Sequence, residues 1–173
     1  PDAALDRAAS LAAAGAMRFA GQKCTATSRA VVHRAVQDAF LERLKAEVEA
    51  LPMGEVTDPG TAVGPLISGD SRDRFLGALA GTEDRQVCGG AITADDPFAR
   101  GFFVRPTVVR DVDPGSTLAQ DELFGPVLAV LPVDGLDEAI DVANRTRYGL
   151  SASLFTRDVS AALEYVRRIE VGL

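Results

Sequence analysis

The chain has 173 residues, 47% of them apolar and 25% charged, with a formal net charge of −7. That suffices for one domain with its own buried core. The acidity, with no Lys/Arg run, opposes binding to nucleic acid or an anionic membrane surface. Two cysteines far apart, Cys24 and Cys88, do not make a disulfide framework, and the lack of a CxxC with a single histidine, His33, argues against a structural zinc site; no metal is expected. Neither a secretory pattern nor a long apolar run is present, so a soluble, cytoplasmic protein is expected. Pro1 is not an initiator methionine, and further residues are expected before it.

Leu5, Ala8, Ala12, Ala16 and Phe19 recur at three- and four-residue steps, predicting a helix with a small-residue face. Gly21 stops it. Ala30–Val32 predicts a short buried strand. Val36, Phe40, Leu44, Val48 and Leu51 predict a second amphipathic helix, ended by Pro52 and Gly54. Residues 53–70 are rich in Gly, Pro and Thr and read as a long irregular connection. A helix follows over 71–81, then a short strand in "RQVCGG". In "GFFVRPTVVRDV", Pro106 interrupts a β-rich run and predicts a bulge or an edge strand. "PVLAVLPV" is apolar on both faces, as in a strand covered on both sides. A helix over Leu136–Arg145, a strand over Leu150–Phe155 and a helix over Val159–Ile169 complete the pattern, with Asp158 as N-cap. "VGL" starts a further strand. The alternation predicts a three-layer αβα fold, an open, largely parallel sheet with helices on both faces.

Three stretches can carry chemistry. In "FAGQKCTATSR", Cys24 follows a helix-breaking glycine in a polar loop, where a thiol can be accessible and activated. Free cysteine is also among the most buried residue types, so a small core hydrophobe is the competing reading. For Cys88, in an apolar run, the core reading dominates. In "QDELFGPVLAV", the carboxylates of Asp121 and Glu122 can accept hydrogen bonds from vicinal hydroxyls, and Phe124 can shield a flat ring beside the Gly125-Pro126 turn. A solvated acidic turn is the alternative. "ANRTRYGLSASLFTRD" alone is only helix, turn and strand.

Taken together and in order, "GQKCTATSR", "GFFVRPTVV", "DELFGPVLAV" and "ANRTRYGLSASLFTRD" resemble the catalytic domain of the aldehyde dehydrogenase superfamily, over almost the whole of residues 1–173. Two positions depart from the common pattern: Met17, seven before the cysteine, and Asp121-Glu122 in place of a Glu-Glu pair. The resemblance implies that Cys24 is the nucleophile, forming a thiohemiacetal and then a thioester, with its own backbone N–H as one oxyanion donor. It implies that Glu122 holds the nicotinamide ribose of NAD or NADP and that Phe124 packs near the nicotinamide. Gln22, Asn144 and Gly149 match motif positions read as architectural.

The resemblance also implies what to expect outside these residues. No GxGxxG unit is present. An N-terminal cofactor domain, the general-base glutamate and the oxyanion asparagine are expected upstream, and a C-terminal oligomerisation segment downstream, in a homo-oligomeric parent. The substrate is expected to be a small aldehyde. The wording of "GQKCTATSR" is similar to branches acting on semialdehydes such as 2-oxoglutarate semialdehyde. The isolated chain is expected to be inactive with NAD(P). The alternatives are a non-catalytic αβα module with a structural or partner-binding role, and a residual esterase-like acyl transfer at Cys24.

Overall fold

The computed structural model describes residues 1–173. Its centre is one four-stranded sheet in the order β1-β4-β3-β2, formed by β1 (Arg29–His33), β2 (Gln86–Cys88), β3 (Thr107–Val109) and β4 (Val127–Val133). β4 runs parallel to both β1 and β3, while β2 joins the edge antiparallel. The sheet is therefore mixed but mainly parallel, inside the helix-flanked α/β architecture that the alternation of elements implies. β4 is the "VLAVLPV" run, buried at every position except Pro132. Leu128 and Leu131 are completely enclosed, and each such side chain contributes roughly 1.5–3 kcal/mol by leaving water.

Six helices surround the sheet: α1 (Leu5–Met17), α2 (Gln37–Glu49), α3 (Gly69–Leu79), α4 (Thr117–Gln120), α5 (Leu136–Asn144) and α6 (Val159–Arg168). α1 buries Ala8, Ala9, Ala13, Ala16 and Met17, and its small side chains let it lie close along α2. α2 answers with Phe40, Leu41, Leu44 and Val48. α5 packs on β1, and α6 on α5. α3 starts at Ser68, whose Oγ accepts from the Ser71 N–H at 3.1 Å, and α6 at Asp158, whose carboxylate accepts from the Ser160 N–H at 2.8 Å. No helix is long and apolar enough to cross a membrane.

Several elements differ from the sequence expectations. The first helix stops at Met17 rather than Phe19, because Arg18 is extended and the residues after it turn left-handed. The irregularity expected at Pro106 sits in β2 instead, between Gln86 and Cys88, while Pro106 stands just before β3. The strand expected over Leu150–Phe155 is hydrogen-bonded only at its start. There the Leu173 N–H donates to Leu150 and the Ala152 N–H to Leu173, both at 3.0 Å, a parallel exchange flanking Ser151. The stretch 53–70 is well tied: the Ala62 and Val63 amides both donate to the Pro52 carbonyl, and Met53 bridges Val63.

A proline in a central strand needs a reason, since it cannot donate to the ladder. The Ala129 N–H donates to Ser28 at 3.0 Å, so the odd-numbered amides of β4 face β1 and the even-numbered ones face β3. Pro132 is even-numbered, and β3 has already ended at Val109. The missing donor falls where no neighbouring strand asks for one.

Candidate active site

Cys24 is exposed at the tip of a turn closed by the Ala26 N–H donating to the Lys23 carbonyl at 3.0 Å. The approach to that turn is unusual. Phe19, Ala20 and Gly21 have φ of 58°, 53° and 65°, three consecutive left-handed residues of which only one is glycine. Left-handed backbone costs an L-residue roughly 1–2 kcal/mol, so surrounding contacts must hold Phe19 and Ala20 in place. The Phe19 N–H donates to Ala62 at 3.0 Å and the Gln22 N–H to Phe19 at 3.1 Å. Ala20 is buried. On the far side, the Thr27 N–H donates to Gly15 of α1 at 3.2 Å, and Arg29 donates to the Val142 and Ala143 carbonyls at the C-terminal end of α5, at 3.3 and 3.0 Å. Burial lowers the Arg29 pKa, yet a guanidinium stays charged and suits the carbonyl end of a helix.

Lys23, the neighbour of Cys24, packs on Phe19. Its ammonium lies 5.0 Å from the centre of the Phe19 ring, a cation–π contact.

The second stretch meets the first backbone to backbone. A Cβ built on Gly21 would lie 2.2 Å from the Gly125 carbonyl oxygen, so only glycine allows this approach. Gly125 in turn has the buried Phe75 ring of α3 against it, 2.6 Å from where a Cβ would stand. Residues about a hundred positions apart are thus in direct contact, and the glycines of "GQKC" and "FGP" are the contact. Next to it Phe124 is itself left-handed, φ 53°, with its ring 40% exposed. A large side chain held strained and open to solvent is uncommon without a partner to meet.

The two acids behave differently. Asp121 is committed to Arg147, 2.7 Å away, and Arg147 also donates to the Tyr148 hydroxyl at 3.3 Å. Glu122 is exposed and lines, with Asp121, Arg74, Arg147 and Tyr148, an open cavity of about 470 Å³. The third stretch therefore touches the site through Arg147, which sequence reasoning passed over. Asn144 and Gly149 lie in a separate tie. The Asn144 side chain donates to Arg168 at 2.8 Å and accepts from the Glu170 N–H at 3.0 Å, joining the ends of α5 and α6. Arg29 and Phe75 were likewise missed. The only sequence signals were a basic residue at the strand start and an aromatic on the buried side of a helix.

Cys88 lies in β2, buried, and burial pushes its thiol up to about 11. It belongs to the core, as its apolar run implies.

A mainly parallel α/β unit, with an exposed cysteine turn seated on the turn that bears Glu122 and Phe124, defines the class of domain. The chain belongs to the aldehyde dehydrogenase family, whose model matches residues 1–173. Among solved structures, it is similar to the gamma-glutamyl-gamma-aminobutyraldehyde dehydrogenase of Burkholderia cenocepacia, at 40% identity over 99% of this chain and 35% of that one, with a TM-score of 0.91. It is similar to an aldehyde dehydrogenase of Mycobacterium tuberculosis complexed with NAD+, at 37% identity over 99% and 36% of the two chains, TM-score 0.91. A 1-pyrroline-5-carboxylate dehydrogenase from Thermus with bound NAD matches at 32% identity over 99% and 33%, TM-score 0.90. The chain spans about a third of the length of these structures.

Proposed function

We propose that this chain is the catalytic domain, in part, of an NAD(P)-dependent enzyme that oxidises an aldehyde to a carboxylic acid, with Cys24 as nucleophile. The observation that carries this reading is the seating of the exposed Cys24 turn on the Gly125 turn, through the contact of Gly21 with Gly125. As thiolate, Cys24 Sγ attacks the aldehyde carbon and forms a thiohemiacetal. Oxidation of that carbon leaves a thioester on Sγ, which water then cleaves to the acid and the free thiol. In this reading the Cys24 backbone N–H donates to the oxyanion. When bound, a nicotinamide dinucleotide supplies the hydride acceptor. The residues present fit such a group: Glu122 is an exposed carboxylate able to accept from vicinal ribose hydroxyls, and Phe124 offers an exposed ring for a flat heterocycle. Both orient rather than transfer protons, and a misplacement of about 1 Å can cost on the order of 10²-fold in rate.

The general base, the second oxyanion donor and the dinucleotide-binding unit belong, in this reading, to parts of a longer protein. The relatives' threefold greater length supports that. The substrate is a small aldehyde, with a semialdehyde favoured by the wording of the cysteine motif. The 173 residues alone are expected to show no turnover with NAD(P). Joined to an aldehyde dehydrogenase cofactor domain, they are expected to oxidise aldehydes, and Cys24→Ser to abolish it. Full NAD(P)-linked oxidation by the Cys24→Ser variant would overturn the reading. So would a wild-type joined protein that folds, binds NAD and never oxidises an aldehyde; that outcome favours a structural module.

A further inference from the structure

We propose that Gln22 is a positioning residue for Cys24, a clip between the cysteine turn and the connection that leads into α3. The inference rests on the reading of Cys24 as nucleophile and goes beyond the architectural role its motif position implies. Gln22 is half-buried and uses both ends of its amide on one short segment. Nε2 donates to the Pro65 carbonyl at 3.2 Å, and Oε1 accepts from the Ile67 N–H at 2.9 Å. Two bonds from one planar group to backbone atoms two residues apart fix the plane of the amide as well as its place.

The segment so gripped runs directly into Ser68, the N-cap of α3. α3 carries Phe75, Phe75 presses on Gly125, and Gly125 meets Gly21, one residue before Gln22. The contacts close a ring: Gln22, residues 65–67, α3, Phe75, Gly125, Gly21. The peptide entering Cys24 is thus held from the 65–67 side by Gln22 and from the Gly125 side by Gly21. The strain of the left-handed residues before it pulls against this ring. Releasing the clip removes the hold on this peptide from the 65–67 side. The predicted consequence is loss of the turn bond from Ala26 to Lys23, and with it the fixed direction of the Cys24 amide.

Residue-resolved amide hydrogen exchange by NMR on the 173-residue chain tests this. In Gln22→Leu, exchange at both Ile67 and Ala26 is expected to rise at least about tenfold, through loss of the hydrogen bonds that hold the two segments. Leu44, deep in α2, is expected to stay unchanged. Gln22→Glu keeps the acceptor for Ile67 and loses the donor. It is expected to show a smaller rise, with protection recovering as the introduced carboxyl protonates and regains a donor. That pH profile distinguishes a clip from a general loss of stability. A rise at Ile67 without Ala26 overturns the proposal, as does an equal rise at Leu44. If Gln22→Leu does not fold, the Gln22→Glu profile decides, and an absence of recovery on protonation overturns it. Failure of the functional reading looks different: Cys24 unreactive toward a thiol reagent, with the exchange pattern unaltered.

Discussion

The two cysteines occupy opposite physical settings. Cys88 sits in a strand that pairs with β3 and is enclosed by core side chains, where its thiolate form is suppressed. Cys24 sits outside regular structure, in a turn whose surroundings are strained and closely pinned. The core holds its cysteine by excluding water, at no conformational cost. The turn presents its cysteine to water and needs glycine contacts, a side-chain amide and an arginine to keep it there. The exposed cysteine that so many contacts hold is the one we propose as nucleophile.

Iodoacetamide is expected to break this comparison most visibly. At pH 7.5 a thiol of pKa about 11 is ionised in roughly one molecule in three thousand. Native protein should therefore be labelled at Cys24 at least about 100-fold faster than at Cys88, followed by peptide mass spectrometry. Labelling of Cys88 first, or of both at one rate, would remove the distinction.

Gly21→Ala attacks the turn alone. Its new methyl meets backbone at 2.2 Å and sits at a left-handed φ, so a loss of about 3 kcal/mol or more is expected by urea denaturation. Gly125→Ala meets the Phe75 ring rather than backbone. A ring can shift, and about 1–3 kcal/mol is expected.

The Cys88 side is sharpened by pH. Its folded pKa is raised, so the stabilising preference for the neutral thiol is complete below the ordinary thiol value. It is lost as pH climbs toward about 11. Stability measured across that window should fall, and the part of the fall due to Cys88 should vanish in Cys88→Ala. The smallest effect is expected from Arg147→Ala. Its pair with Asp121 is exposed on both sides, and such pairs contribute about 0–1 kcal/mol. A loss well above that in thermal unfolding would mean that Arg147 anchors the Glu122 turn.

Much of the fold was legible. β4 and α2 are written as an apolar run and a helical stripe, and their burial follows those patterns; β1 is written as a short apolar run too, although only Val32 in it is buried. Asp158 was readable as an N-cap because the capping bond is local. The left-handed run at Phe19 and Ala20 was not readable, since neither residue favours φ above zero and tertiary contacts impose it. The partial strand after Leu150 failed for a related reason: pairing there depends on residues 171–173 rather than on propensity. In the site, the cysteine and the acidic turn were recognisable as motifs. Their joining by Gly21, Gly125 and Phe75 could not be seen, because a close approach between glycines leaves no pattern in either segment. The same holds for Gln22, whose bonds span more than forty residues.

Pro132 bears on how the molecule avoids sticking to itself. Beyond Val109 the β3-facing side of β4 has no strand beside it, and an open ladder is a template for another chain. Two things blunt it. The Val130 carbonyl is taken by the Val112 N–H at 3.0 Å, and at the next even-numbered position proline supplies no donor at all. An incoming strand would find its first acceptor occupied and its next donor missing. The proline that looks like a flaw, in a strand buried at every other position, stands where the sheet itself needs nothing from it.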